Sequence, residues 1–170
     1  KGQQWANKGA LSAIFGGFQL NGVASIMSGQ PFYVVQGTAG NLNAAGSGQI
    51  PDQVKSTVAI LGGIGAGNSY FDKTAYSIVN IASGGTQRFG SAGRNNLRGP
   101  GFFNMDLGLF RTFRITENVK LQFRAEALNA LNHANFSNPQ ADINNSNFGY
   151  ITSTTGTGER NMRFAVRVSF

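Results

Sequence analysis

Phe103-Asn104-Met105-Asp106-Leu107-Gly108-Leu109-Phe110-Arg111-Thr112-Phe113-Arg114-Ile115, then Thr116-Glu117-Asn118, then Val119-Lys120-Leu121-Gln122-Phe123-Arg124-Ala125-Glu126-Ala127: this stretch decides the fold. In its first arm the odd positions carry Phe103, Met105, Leu107, Leu109, Phe113 and Ile115, and the even positions carry Asn104, Asp106, Thr112 and Arg114. In the second arm Val119, Leu121, Phe123, Ala125 and Ala127 alternate with Lys120, Gln122, Arg124 and Glu126. Strict period-two alternation is the signature of a strand, because successive side chains point to opposite faces. Two such arms around Thr116–Asn118 predict an antiparallel hairpin, Phe103–Ile115 against Val119–Asn129. A three-residue loop sets Ile115 opposite Val119, Phe113 opposite Leu121 and Leu109 opposite Ala125. The apolar side chains other than Phe110 then share one face, and a slip of one residue would mix the two sets.

The C-terminal segment repeats the pattern. Met162, Phe164, Val166, Val168 and Phe170 alternate with Asn161, Arg163, Ala165, Arg167 and Ser169. Strands of soluble proteins most often run about 5–6 residues, whereas a tilted transmembrane strand needs about 9–11. The expected fold is therefore all-β: long antiparallel strands in a meander with long loops. Such strands form part of a transmembrane-type β-barrel, or of a barrel-like or fibrous β assembly. Barrel walls of this kind are apolar towards lipid and polar towards the lumen. The candidate lipid-facing row of the hairpin is Leu107, Leu109, Phe113, Ile115, Val119, Leu121 and Phe123, and the polar row is Asp106, Arg114, Lys120, Arg124 and Glu126. Met162, Phe164, Val166, Val168 and Phe170 are the candidate row for assembly or membrane insertion. Arg111 interrupts the apolar face, where an arginine at bilayer depth costs about 2–4 kcal/mol. It either snorkels or packs on protein.

Composition agrees. The 170 residues include 24 glycines and 18 asparagines, no cysteine, and only 12% charged residues, against about 25% for an ordinary soluble domain. Without cysteine there are no disulfides, thiol nucleophiles or cysteine-held metals. The balance of 14 Lys+Arg against 7 Asp+Glu is basic, but the cations stand singly or alternate with apolar residues rather than forming the patch of a nucleic-acid footprint. No nucleic-acid partner is expected. No apolar run approaches the roughly 20 residues of a membrane helix. The N-terminal Lys1-Gly2-Gln3-Gln4-Trp5 carries no export signal, so the expectation is a processed chain or a fragment of something longer.

Upstream the pattern weakens. Gly17–Ser28 predicts a strand through Phe18, Leu20, Ala24 and Ile26, with Leu11–Phe15 as the end of its partner, and Phe32–Val35 predicts a short run. Glycine, asparagine and serine dominate from residue 36 to 101, with possible short strands at Val54–Leu61 and Tyr70–Val79. Residues 36–101 and 132–160 are expected to be two long loops of a single barrel-type region spanning 1–170. Long external loops are usual in outer-membrane barrels.

Catalytic and cofactor chemistry finds little support. Val58–Gly67 resembles a strand entering a dinucleotide loop, but the spacing puts Asn68 where the third glycine belongs. His133 is the only histidine and has only Asp142 nearby in sequence, too few ligands for a metal site. Asp106 and Glu126 lie diagonally on the polar face, yet Arg114, Lys120 and Arg124 share it, as in a mixed-charge lumen wall rather than a pair of catalytic carboxylates. The expectation is no enzyme, no cofactor and no metal.

Several motifs together are similar to a known family. Arg98-Gly99-Pro100-Gly101-Phe102-Phe103-Asn104-Met105-Asp106-Leu107, Phe113-Arg114-Ile115-Thr116-Glu117, Leu121-Gln122-Phe123-Arg124-Ala125-Glu126 and Leu131-Asn132-His133-Ala134-Asn135-Phe136 resemble the C-terminal barrel of Oar-like TonB-dependent receptors. Phe18-Gln19-Leu20-Asn21-Gly22 and Ser28-Gly29-Gln30-Pro31-Phe32 are similar to the same family, and the ending in Phe170 looks like the signature by which barrels are recognised for insertion. The resemblance implies a large outer-membrane receptor barrel with an N-terminal plug, energised from the inner membrane. The chain offers roughly four to six spans of membrane length, so its edges must be completed by partner strands, since each unpaired backbone group in lipid costs several kcal/mol. Those partners are the rest of the receptor barrel or copies of the chain itself, with outer-membrane lipid around a barrel. Three functions follow: the C-terminal segment of a transport receptor in the bacterial outer membrane, a processed fragment that builds an extracellular fibre by strand addition, or a small closed outer-membrane barrel.

Overall fold

The computed structural model describes residues 16–37, 48–79, 88–156 and 158–170. The proposed partner segment Leu11–Phe15 lies outside them. Long strands are β1 (Phe18–Met27), β6 (Phe102–Arg114), β7 (Lys120–Leu128) and β8 (Asn161–Ser169). Between β1 and β6 come four two-residue strands, β2 (Pro31–Phe32), β3 (Asp52–Gln53), β4 (Tyr76–Ser77) and β5 (Leu97–Arg98). Among the described residues no helix is long and apolar enough to cross a membrane. The chain divides into two compact units.

The first unit contains the long strands, in the order β1-β6-β7-β8. The hairpin register is the one its alternation demands: Leu109 pairs with Ala125 and Phe113 with Leu121. Its turn is closed by Ile115 N–H donating to the Val119 carbonyl at 2.9 Å and Val119 N–H donating to the Thr116 hydroxyl at 3.1 Å. β8 lies antiparallel on the other side of β7, with Ala125 opposite Phe164, Phe123 opposite Val166 and Leu121 opposite Val168. Gly22 lies against Leu107, and Phe18 reaches the Arg111 guanidinium, so β1 runs antiparallel to β6. A Cβ at Gly22 would come within 3.0 Å of the Leu107 side chain, which is why that close approach takes a glycine. The sheet is all-β and antiparallel, with one apolar face and one polar face.

The second unit comprises Met27–Phe102 and Asn135–Gly156, and so takes in most of residues 36–101 and 132–160, expected to be long loops. They differ from that expectation by holding the buried core. Phe71 is fully buried and packs against Phe32, Tyr76 and Phe148 with ring centroids 5.9, 6.0 and 5.4 Å away. Val34, Tyr70, Ala75, Ala92, Leu97 and Ile151 complete the cluster. The predicted strands Val54–Leu61 and Tyr70–Val79 contract to the β3–β4 pairing of Asp52–Gln53 with Tyr76–Ser77 and one bridge between Ile60 and Phe71. Phe32–Val35 becomes the β2–β5 pairing plus a parallel bridge from Val35 to Asp142. Turns with positive φ at Gly62, Gly65 and Gly67 fill the connection between the two predicted strands, and another at Asn95 precedes β5. The described connections therefore supply none of the further long strands that a small closed barrel would need.

Buried amides satisfy the backbone in place of a continuous ladder. Gln36 is fully buried, its Nε2 donating to the Val79 carbonyl at 3.0 Å while its Oε1 accepts from Val79 N–H at 2.9 Å. Gln49 does similar work, donating to the Arg88 carbonyl at 3.0 Å and accepting from Ile50 N–H. Buried polar groups must be paired in this way, because an unpaired one costs about 1–3 kcal/mol.

Candidate functional site: the two faces of the long sheet

The apolar row of the sequence becomes one face of the first unit. Leu107, Leu109, Phe113, Leu121 and Phe123 occupy it through the β6–β7 register, with Ile115 and Val119 at the turn. Met162, Phe164, Val166 and Val168 extend it across β8, and Phe170 follows that strand fully exposed. Phe18, Leu20 and Ile26 of β1 alternate in the same phase, and the exposures of Leu20 and Ile26 reach 70% and 76%. Phe113, Ile115, Phe164, Val166 and Val168 are likewise exposed, while Leu107, Leu109, Leu121 and Phe123 are half-buried. A soluble monomer rarely leaves a contiguous apolar patch of more than a few hundred Å² to water, so this face is built for another solvent.

Arg111 sits within it and is nearly buried, 8% exposed. Its guanidinium lies over the Phe113 ring at 4.2 Å and the Phe18 ring at 4.8 Å. Both rings belong to the same sheet, one on β1 and one on β6.

The opposite face carries the polar row in cross-strand register. Arg114 pairs with Lys120, Thr112 with Gln122, Phe110 with Arg124 and Gly108 with Glu126. On β8, Arg167 lies opposite Gln122 and Arg163 opposite Glu126. Arg124 stacks over Phe110 at 5.2 Å. Asp106 accepts from Asn104 Nδ2 at 2.9 Å and from Asn129 N–H at 2.8 Å. It is spent on fixing the end of the hairpin, and Glu126 remains diagonal to it as the sequence implied. His133 lies edge-on to Phe103 at 5.6 Å, and its backbone N–H and carbonyl are both held by the Asn129 amide at 2.9 Å.

Sequence reasoning missed that asparagine. Asn129 is fully buried with φ of 50°, and it closes the turn from Asn129 to His133. The available signal was the Asn-x-x-Asn-His spacing immediately after a strand, since asparagine tolerates the left-handed region and bonds its own backbone.

The second unit holds two surface ion pairs. Arg88 clasps Asp52 at 2.6 Å, and Lys55 reaches Asp72 at 2.6 Å. The Arg88 hydrogen bond holds the Asp52 carboxyl below its ordinary pKa, and Lys55, with Thr74, does the same for Asp72. The unit also has a cleft of about 310 Å³ with Met27, Gln30, Phe102, Phe136 and Asn138 in its walls and no charged lining residue. Among the described residues no three His, Asp or Glu side chains converge as a metal site.

A single sheet of long antiparallel strands, exposed and apolar on one face and charged on the other, is the wall of a membrane β-barrel. The family comparison agrees over nearly the whole chain, with the model of an outer membrane beta barrel domain matching residues 1–163. The chain belongs to that family and is a protein of the bacterial outer membrane. Compared with curated proteins and with solved structures, it finds no match in either.

Proposed function

We propose that this chain forms part of the wall of an Oar-like TonB-dependent receptor, a transporter rather than an enzyme. One observation carries the reading: among the described residues the long sheet is open, with β1 and β8 last in its order. In lipid such edges must be completed by further strands, and the described connections provide none of sufficient length. The chain is then one arc of a larger barrel, and the motifs similar to the receptor family lie on β1, β6, β7 and the Asn129–His133 turn. All connections other than the Thr116–Asn118 turn leave the sheet at the opposite end, the end that barrels turn outward. The solute transported is not named by these residues. Electron microscopy of the outer-membrane protein containing this chain tests the reading. The expected particle is a barrel of about 22 strands with a filled lumen; a small closed barrel or an empty pore would sink it.

A second reading is favoured by the exposure of all nine residues of β8. In it the free edge of β8 pairs with β1 of another copy, and head-to-tail repetition builds a ring or an extracellular fibre. Without detergent, Val166→Pro should then abolish filaments by removing a ladder donor in mid-strand, while Val166→Thr, which keeps the N–H, should leave them intact. Failure of the wild-type chain to form filaments at any concentration dismisses this reading.

A further inference from the structure

The cations of the polar face are not evenly spread. The three cross-strand rows nearest the Thr116–Asn118 turn hold Arg114 opposite Lys120, then Arg167 beside Gln122, then Arg124. No acid lies in those rows; Glu126 and Arg163 form the next row, and Asp106 lies further along, already bonded to Asn104 and Asn129. Like charges placed directly opposite on neighbouring strands, with Cβ atoms about 4.5–5.5 Å apart, destabilise a sheet. Arg114 and Lys120 are such a pair, both are exposed, and neither has an ion-pair partner among the described residues. A sheet that keeps this arrangement has a use for it.

The same end is concave. An open cleft of about 480 Å³ is lined by Arg114, Ile115, Thr116, Glu117 and Lys120. Two cations and a threonine hydroxyl on one concave surface match the oxygens of a compact, multiply charged anion. Glu117 is the one opposing charge in that lining.

We propose that the turn end of the polar face is an anion-binding strip whose ligand is a multivalent phosphate, held first by Arg114 and Lys120 and drawn along the face by Arg167 and Arg124. Rings of Arg and Lys are how pores select anions and phosphates, and in a barrel this face points to the lumen. A compact phosphate suits the site better than an acidic protein segment, because the directly opposed pair and Thr116 line the same small cleft. The strip depends on the barrel and not on the receptor reading, so a failed receptor assignment leaves it standing.

Titration calorimetry of the detergent-solubilised protein with inorganic pyrophosphate at low salt is the test. Saturable binding is expected, weakening as salt is raised because exposed charges are screened. The double variant Arg114→Gln/Lys120→Gln should bind at least tenfold more weakly, Arg114→Lys should retain binding, and Arg163→Gln should change affinity less than twofold. The substituted positions are exposed, and circular dichroism at unchanged intensity confirms that the strands persist. No binding of pyrophosphate at low salt overturns the proposal, as does an equal loss in Arg163→Gln. Capture of phosphatidylglycerol vesicles or of an acidic peptide without pyrophosphate binding overturns it as well, because the site would then serve a membrane surface or a protein.

Discussion

The two units solve the problem of burial in opposite ways. The long sheet has regular patterning and contributes nothing to the buried cluster: Leu20, Ile26, Phe113, Phe164, Val166 and Val168 stand exposed on its apolar face, and Leu107, Leu109, Leu121 and Phe123 are half-buried there. The connections have almost no patterning and a real core of ten buried side chains, Phe71 among them. Regular backbone is sufficient for the sheet because every strand hydrogen-bonds its neighbour and lipid supplies the apolar surroundings. In water a unit built of two-residue strands must bury aromatic rings and satisfy its backbone piecemeal with Gln36, Gln49 and Asp142. The lesson is that strand length and core size trade against each other according to which solvent meets the surface.

The sharpest way to break this contrast is to empty the core of the second unit. Phe71→Ala removes the ring on which Phe32, Tyr76 and Phe148 converge, and such a cavity costs about 3–5 kcal/mol. Amide exchange should show protection lost around Val34, Leu97 and Ile151, with Leu107–Ala127 unchanged in detergent. Simultaneous loss of the long strands would mean that the two units fold as one.

The matching attack on the sheet puts charge on its apolar face. Val166→Lys lies in mid-strand opposite Phe123 and should destabilise the barrel in bilayers by about 2–4 kcal/mol. Ala165→Glu, one residue away on the polar face opposite Arg124, should cost almost nothing. Urea unfolding in lipid vesicles measures both. Equal effects would show that the two faces are not divided between lipid and lumen.

Legibility followed the same division. The hairpin register could be derived because Phe113, Leu121 and their neighbours repeat every second residue over long strands, so a single slip is visible. Phe32, Phe71, Leu97 and Phe148 could not be gathered from sequence, because each comes from a separate turn-bounded segment without a period. Glycine-rich composition looked like loop, and it is loop in conformation, but the few aromatics within it make a core. Buried Gln36 gave no signal at all, since a lone glutamine beside Gly37 looks like surface. Arg111 was visible as an anomaly, but its aromatic partner Phe18 comes from a distant strand.

Gln36 offers a smaller and more local test. Gln36→Leu keeps volume and removes both hydrogen bonds to the Val79 backbone, leaving a buried N–H and carbonyl to pay about 1–3 kcal/mol. Exchange at Val79 should accelerate most, and the long strands should not respond. Protection unchanged at Val79 would show that water replaces the amide there.

The smallest expected effect is a pH dependence confined to the second unit. Asp52 and Asp72 have folded pKa values below their ordinary 3.8, because Arg88 and Lys55 hydrogen-bond their charged forms. A carboxyl depressed on folding stabilises at pH above its unfolded pKa, and that contribution is lost as pH falls through the folded value. Between pH 7 and pH 5 the unit should therefore keep its stability, and below about pH 4 it should weaken while the long sheet, which shows no ion pair among the described residues, does so less. Both pairs are exposed, so the loss is modest and shrinks in high salt. The double variant Asp52→Asn/Asp72→Asn should be slightly less stable at neutral pH and should lose the acid dependence below pH 4. Amide exchange at Ser91 and Thr74, whose N–H groups donate to these two carboxylates, reads the result directly. An unchanged acid response in the double variant would place the sensitive carboxyls elsewhere.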